Sequence, residues 1–145
     1  TALRNSGRTI GRFSSAAENG VDPVVGWLVC VKGPYYGQSF PLKSGKNRIG
    51  RAQSMDVRLL NDSSVSRDCV AVIVYDAKIG DFSVIPGDSD SLCYWNEAAV
   101  YAREQLTAYD TLELGDSGRN AFIFVPLCGE RFSWADRQPD EARRD

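Results

Sequence analysis

The chain contains no histidine. That absence removes any Ser–His or Cys–His nucleophile pair. It also leaves the four cysteines without an imidazole to complete a zinc site, and none of them forms a CxxC pair. No GxxxxGK[ST] loop or GxGxxG unit is present. The 19 acidic side chains include unavoidable neighbours, and such pairs alone do not make a hydrolase. The chain therefore reads as a non-enzyme with no cofactor and no metal. No apolar run approaches the roughly 20 residues needed to cross a membrane. The opening Thr1-Ala2-Leu3-Arg4-Asn5-Ser6 has no signal-peptide apolar stretch. Thr1 stands where an initiator methionine would, which reads as a fragment or a processed chain.

What is present describes an ordinary globular composition. A hydrophobic content of 43% and a charged content of 25% suffice for a core without staples. Cys30, Cys69 and Cys93 lie in apolar, strand-like runs, where a free thiol behaves as a small hydrophobe. Reduced core thiols imply a cytoplasmic protein. The net charge of −2 points to neither nucleic acid nor membrane as partner. Its distribution is uneven. Between positions 43 and 67 stand Lys43, Lys46, Arg48, Arg51, Arg58 and Arg67 against Asp56 and Asp62, an excess of four positive charges. Such a patch is either a solvated basic face or a seat for a small anion.

Residues 1–22, rich in Asn, Ser, Gly and Arg with isolated apolar positions, read as a disordered tail. From Pro23 onward the chain is a series of short β-branched and aromatic runs separated by Gly, Pro, Asn, Asp and Ser. The runs are 25–31, 38–42, 47–50, 55–60, 69–75, 81–85, 92–95, 111–114 and 121–125. The one weak helix candidate is Ala98–Leu106, which lacks a clean 3.6-residue period. An all-β antiparallel sandwich of about 10–11 short strands is expected over residues 23–127. Residues 128–145 form an extension. Its Phe132 and Trp134 are expected to fold back, and its charged end to be disordered.

The chemistry concentrates in Arg48-Ile49-Gly50-Arg51, Met55-Asp56-Val57-Arg58-Leu59 and Val65-Ser66-Arg67-Asp68-Cys69. Gly50 permits an unusual backbone at a strand end, so that Arg51 can leave the sheet. A guanidinium meets phosphate with two parallel hydrogen bonds, Ser66 offers a hydroxyl, and Arg67 a second cation. The plainer reading is that both arginines pair with local Asp side chains and that Ser66 caps a turn.

Ile49-Gly50-Arg51, then Asp56-Val57 and Leu59, then Val65-Ser66-Arg67 resembles the signature of the forkhead-associated (FHA) domain family, in its bacterial stand-alone form. Ser89-Asp90-Ser91-Leu92-Cys93-Tyr94-Trp95-Asn96-Glu97 is similar to the family's S-T-N-G-T-Y-V-N-G segment. Leu106, Asp110, Leu112 and Leu114-Gly115 resemble its closing L-x-x-x-D-x-I-x-I/L-G. The likeness covers roughly residues 25–126. It implies a β-sandwich that binds phosphothreonine in Ser/Thr kinase signalling. Arg51, Ser66 and Arg67 would hold the phosphate, with Ser91 and Asp90 beside the peptide. Gly50, Cys69 and Asn96 would stand at structural positions.

Two departures stand out. The family's His falls on Cys69, a weak donor where a loop-ordering hydrogen bond is expected. Asp90-Ser91 replaces Thr-Asn, and Asp88 adds a further negative charge. This acidic loop either costs affinity for phosphate or selects a basic residue downstream of it. In the tail, Thr9 lies between Gly7 and Gly11 with Arg12 three residues on. It is either an ordinary tail residue or a phosphorylation site. The expected partners are a phosphothreonine protein or the chain's own tail, together with a Ser/Thr kinase. The competing reading is a phosphate-independent interaction or assembly domain on the same fold.

Overall fold

The computed structural model describes residues 22–136. Eleven strands run through them: β1 Val24–Lys32, β2 Ser39–Lys43, β3 Gly45–Gly50, β4 Val57–Arg58, β5 Ala71–Asp76, β6 Asp81–Pro86, β7 Cys93–Trp95, β8 Ala98–Ala99, β9 Glu104–Gln105, β10 Thr111–Leu114 and β11 Ala121–Pro126. They form a six-stranded sheet ordered β2-β1-β11-β10-β7-β8 and a five-stranded sheet ordered β4-β3-β5-β6-β9. Strand alternation sets the inward faces. Leu28, Cys30, Phe122, Phe124, Leu112 and Leu114 come from the first sheet, and Ile49, Ile73, Tyr75, Phe82 and Val84 from the second. The Phe82 and Phe124 rings meet edge to face at 4.7 Å between centroids, joining the two sheets.

One pairing is parallel rather than antiparallel: Ile49 faces Val57 and Gly50 faces Arg58. Parallel neighbours ordinarily need a long crossover. Here residues 51–56 curl out and return at once. The Asp56 amide donates to the Arg48 carbonyl (2.9 Å), and the Asp56 carboxylate accepts from the Arg48 amide (2.9 Å). The curl throws Arg51 out at one end of the sandwich.

Ala98–Leu106 is not a helix. Its backbone groups go to strands instead: Val100 donates to the Cys93 carbonyl and Leu106 to that of Phe82. The segment contributes β8 to one sheet and β9 to the other. The buried pair Val100 and Leu106 serves a crossing between layers, which no helical period matches. The expected strand at 55–60 shrinks to β4, and Cys69 lies ahead of β5 rather than in it.

All four cysteines are free and buried, Cys128 included. Cys69, 2% exposed, packs with Met55 and Val72 in a small cluster apart from the main core. Burial raises the thiol pKa of Cys30 and Cys128, and pushes that of Cys93 up to about 12. Phe132 and Trp134 lie against the core, and the Trp134 Nε1 donates to the Val24 carbonyl at 2.6 Å.

Candidate functional site

Three connections meet at the end of the sandwich where β3 stops: β3–β4, β4–β5 and β6–β7. Two short backbone rungs tie the first two together. The Arg51 amide donates to Ser66 O (3.0 Å), and the Ala52 amide to Arg67 O (3.2 Å). The third is tied through Cys69, whose carbonyl accepts from the Ser89 amide at 2.9 Å. Two glycines allow this crowding. A Cβ on Gly50 would stand 2.7 Å from Asp68 O, and one on Gly87 would overlap the Cys69 carbonyl. Neither position admits a larger residue without separating the loops.

Arg51 is half-buried, and its Nε donates to the Val65 carbonyl at 2.6 Å. One edge of the guanidinium is thereby fixed. No carboxylate pairs with Arg51 or Arg67 among the described residues. Two nearby Asp residues are engaged elsewhere: Asp56 pairs with Lys43 (3.3 Å), and Asp88 approaches Arg48 (3.9 Å). Ser66 does cap a turn, its Oγ accepting from the Asp68 amide at 3.2 Å. Its O–H proton is donated to no group among the described residues. The result is two arginines and a hydroxyl on adjoining backbone rungs, able to present several donors to one compact anion.

Asp90 is exposed and Ser91 half-buried on the neighbouring connection, where the Ser91 amide donates to the Ser89 Oγ (2.9 Å). The Cys69 thiol reaches the Ala71 carbonyl, at 3.2 Å. The loop is held by backbone bonds instead. Asn96 lies apart from this cluster, in the β7–β8 turn with φ 47°. Its side chain accepts from the Thr111 amide (2.9 Å) and donates to the Asp110 carboxylate (3.2 Å). Asp110 also accepts from Trp95 Nε1, from the Thr107 amide and from the Thr107 hydroxyl. Burial opposes its ionisation, but these hydrogen bonds outweigh burial and hold its pKa below the usual carboxylate value. Thr9 and Arg12 lie outside the described residues.

Sequence reasoning did not find the Val65 carbonyl, Gly87 or the Asp110 hub. Gly87 carries a signal in the Pro86-Gly87 dipeptide. A carbonyl acceptor carries none, because every residue has one. Among the described residues no group of three or more acidic or thiol side chains is placed to hold a metal, and no helix is long and apolar enough to cross a membrane.

No family model and no curated protein matches the sequence. The fold is similar to solved structures. A structure from work on phosphothreonine-dependent FHA domain interactions shares 27% identity at a TM-score of 0.57, over 69% of this chain and 94% of the other. The FhaA FHA domain, complexed with the intracellular domain of Rv3910, shares 28% at a TM-score of 0.56, over 68% and 98%. The N-terminal FHA domain of Rad53p from S. cerevisiae, in complex with a phosphothreonine peptide, has a TM-score of 0.60 over 77% and 99%. At 16% identity that last likeness concerns the fold alone.

Proposed function

The chain belongs to the forkhead-associated domain family, and on that footing we propose that it is a binding module for phosphothreonine peptides. The observation that carries the reading is the state of Arg51. Its guanidinium is oriented by the Val65 carbonyl yet unpaired with any carboxylate among the described residues, on the rung next to Ser66 and Arg67. A half-buried, oriented fork without a counter-ion suits a doubly charged phosphate ester. The likeness to FHA domains studied for phosphothreonine-dependent interactions supports the same reading.

The ligand of choice is the chain's own Thr9 in phosphorylated form, made by a Ser/Thr kinase and bound in cis or by a second copy. Val24, where β1 begins, lies fifteen positions after Thr9. Fully extended, that stretch spans about 50 Å, against a radius of gyration near 13 Å for a domain of about 100 residues. Short tethers give effective concentrations near the millimolar range, so a micromolar pocket would be largely self-occupied. Arg12 would then meet the exposed Asp90. The test is binding of a phosphopeptide spanning residues 4–15, with the unphosphorylated peptide as control. Equal affinity for the two removes the phosphate reading.

A second reading is favoured by one feature. Asp88 and Asp90 set negative charge beside the pocket, and Asp88 already approaches Arg48. In that case the domain is a phosphate-independent interaction module, and neither peptide binds through Arg51.

A further inference from the structure

Asp62 is 2% exposed, and its Oδ2 has no hydrogen-bond partner among the described residues. Its other oxygen accepts twice from one residue: from the Ser64 amide at 3.0 Å and from the Ser64 hydroxyl at 2.5 Å. The same hydroxyl accepts from Asn120 Nδ2 at 3.1 Å. Asn120, also 2% exposed, is fixed in turn by the Leu114 amide (2.8 Å) and carbonyl (2.9 Å) of the six-stranded sheet. The Asp62 carbonyl accepts from the Val65 amide at 3.0 Å. A half-unsatisfied buried carboxylate is costly and calls for an explanation.

We propose that Asp62, Ser64 and Asn120 act as positioning residues for the anion pocket: they fix the Val65 carbonyl, which aims Arg51. The β4–β5 connection is gripped by both sheets. Its second half follows the five-stranded sheet through Ser66, Arg67 and Val70, whose amide donates to Ile49 O. Its first half is held to the six-stranded sheet by the Ser64–Asn120 bond, and to the β1–β2 turn by the Asn61 amide donating to Tyr35 Oη (3.0 Å). Val65 and Ser66 lie between the two grips. Without the Ser64 hydroxyl the first grip keeps the Val65 amide on Asp62 O, the buried Val65 side chain and the Tyr35 contact, but loses its bond to the six-stranded sheet, and the Val65 carbonyl shifts away from the fork. This inference deepens the phosphothreonine reading for the consequence to binding, but the aiming of Arg51 is a property of the free protein.

The experiment follows the Arg51 Nε–Hε signal by NMR in the free chain, alongside affinity for the phosphopeptide of residues 4–15. In the wild type the signal is expected to be shifted and protected by the bond to Val65. Ser64→Ala is expected to move it to the exposed position and to weaken the phosphopeptide about tenfold, the loss of one well-aimed charge-assisted bond. Ser64→Thr, which keeps the hydroxyl, restores both. Asn47→Ala is the control for simple destabilisation. It removes an equally buried amide bonded to Lys43 and Ile73 at the far end of β3, and leaves the Arg51 signal in place. Should Ser64→Ala fail to fold, Ser64→Cys keeps the volume with a weaker donor and gives the same displacement in smaller measure. An Arg51 signal unchanged in folded Ser64→Ala or Ser64→Cys overturns the inference. Failure of the wild type to bind phosphopeptide overturns the functional reading alone.

Discussion

The Nε of Arg51 donates to the carbonyl of Val65, fourteen residues along the chain, at 2.6 Å. The guanidinium is therefore aimed by backbone rather than by a counter-charge, which leaves the remaining donors of the fork for the proposed phosphate.

Arg51→Ala is expected to abolish phosphopeptide binding while the circular-dichroism spectrum stays that of the wild type. Charge-assisted hydrogen bonds contribute about 1.5–3 kcal/mol each, so losing a bidentate pair weakens binding at least about tenfold. Arg51→Lys recovers only part, because an ammonium lacks the fork geometry. Titration calorimetry of the three proteins decides it. Unchanged affinity in Arg51→Ala refutes the pocket assignment.

Asp110 makes stability depend on acid pH. Its pKa in the folded protein is depressed below the unfolded value of about 3.9. Its contribution is therefore present above that unfolded value and is lost as pH falls through the folded one. Asp110→Asn is expected to lower the Tm at pH 7 and to flatten its fall as the pH drops below the usual carboxylate range. Parallel Tm profiles for the two proteins would refute a role for this carboxylate.

The β7–β8 hairpin turns on Asn96 and Glu97, with φ of 47° and 74°. Both central residues are left-handed, a turn that favours Asn-Gly. Glu97→Gly is expected to stabilise the fold by about 1 kcal/mol by relieving the Cβ clash. Urea denaturation measures it, and a lower midpoint would show that the Glu97 side chain does more than occupy the turn.

Cys69→His tests the departure at the pocket's rear. An imidazole is larger than a thiol, and Cys69 is buried against Met55 and Val72. The substitution is expected to cost about 1–3 kcal/mol by overpacking. In the wild type, all four buried thiols are expected to react slowly with a disulfide reagent until urea is added. Rapid labelling of Cys69 in the native protein contradicts its burial.

The strand pattern, the turn residues and the Gly50-Arg51 and Ser66-Arg67 pairs are local properties. Alternating apolar residues commit a segment to a half-buried strand wherever it packs, and a glycine beside an arginine is visible in the chain itself. The all-β sandwich was therefore legible from the residues alone, whereas the role proposed for Arg51, Ser66 and Arg67 came from the family resemblance. The tertiary structure decided what depends on distant partners. It sent Ala98–Leu106 into two sheets, because the free amides of Val100 and Leu106 met carbonyls at Cys93 and Phe82. It laid β4 parallel to β3 through the curl that Asp56 closes on Arg48. It set Asn120 on Ser64 across fifty-six positions of sequence, and the Val65 carbonyl against Arg51. Backbone carbonyls are identical in every residue, and a buried polar side chain declares its partner only when packing has excluded water from all the others.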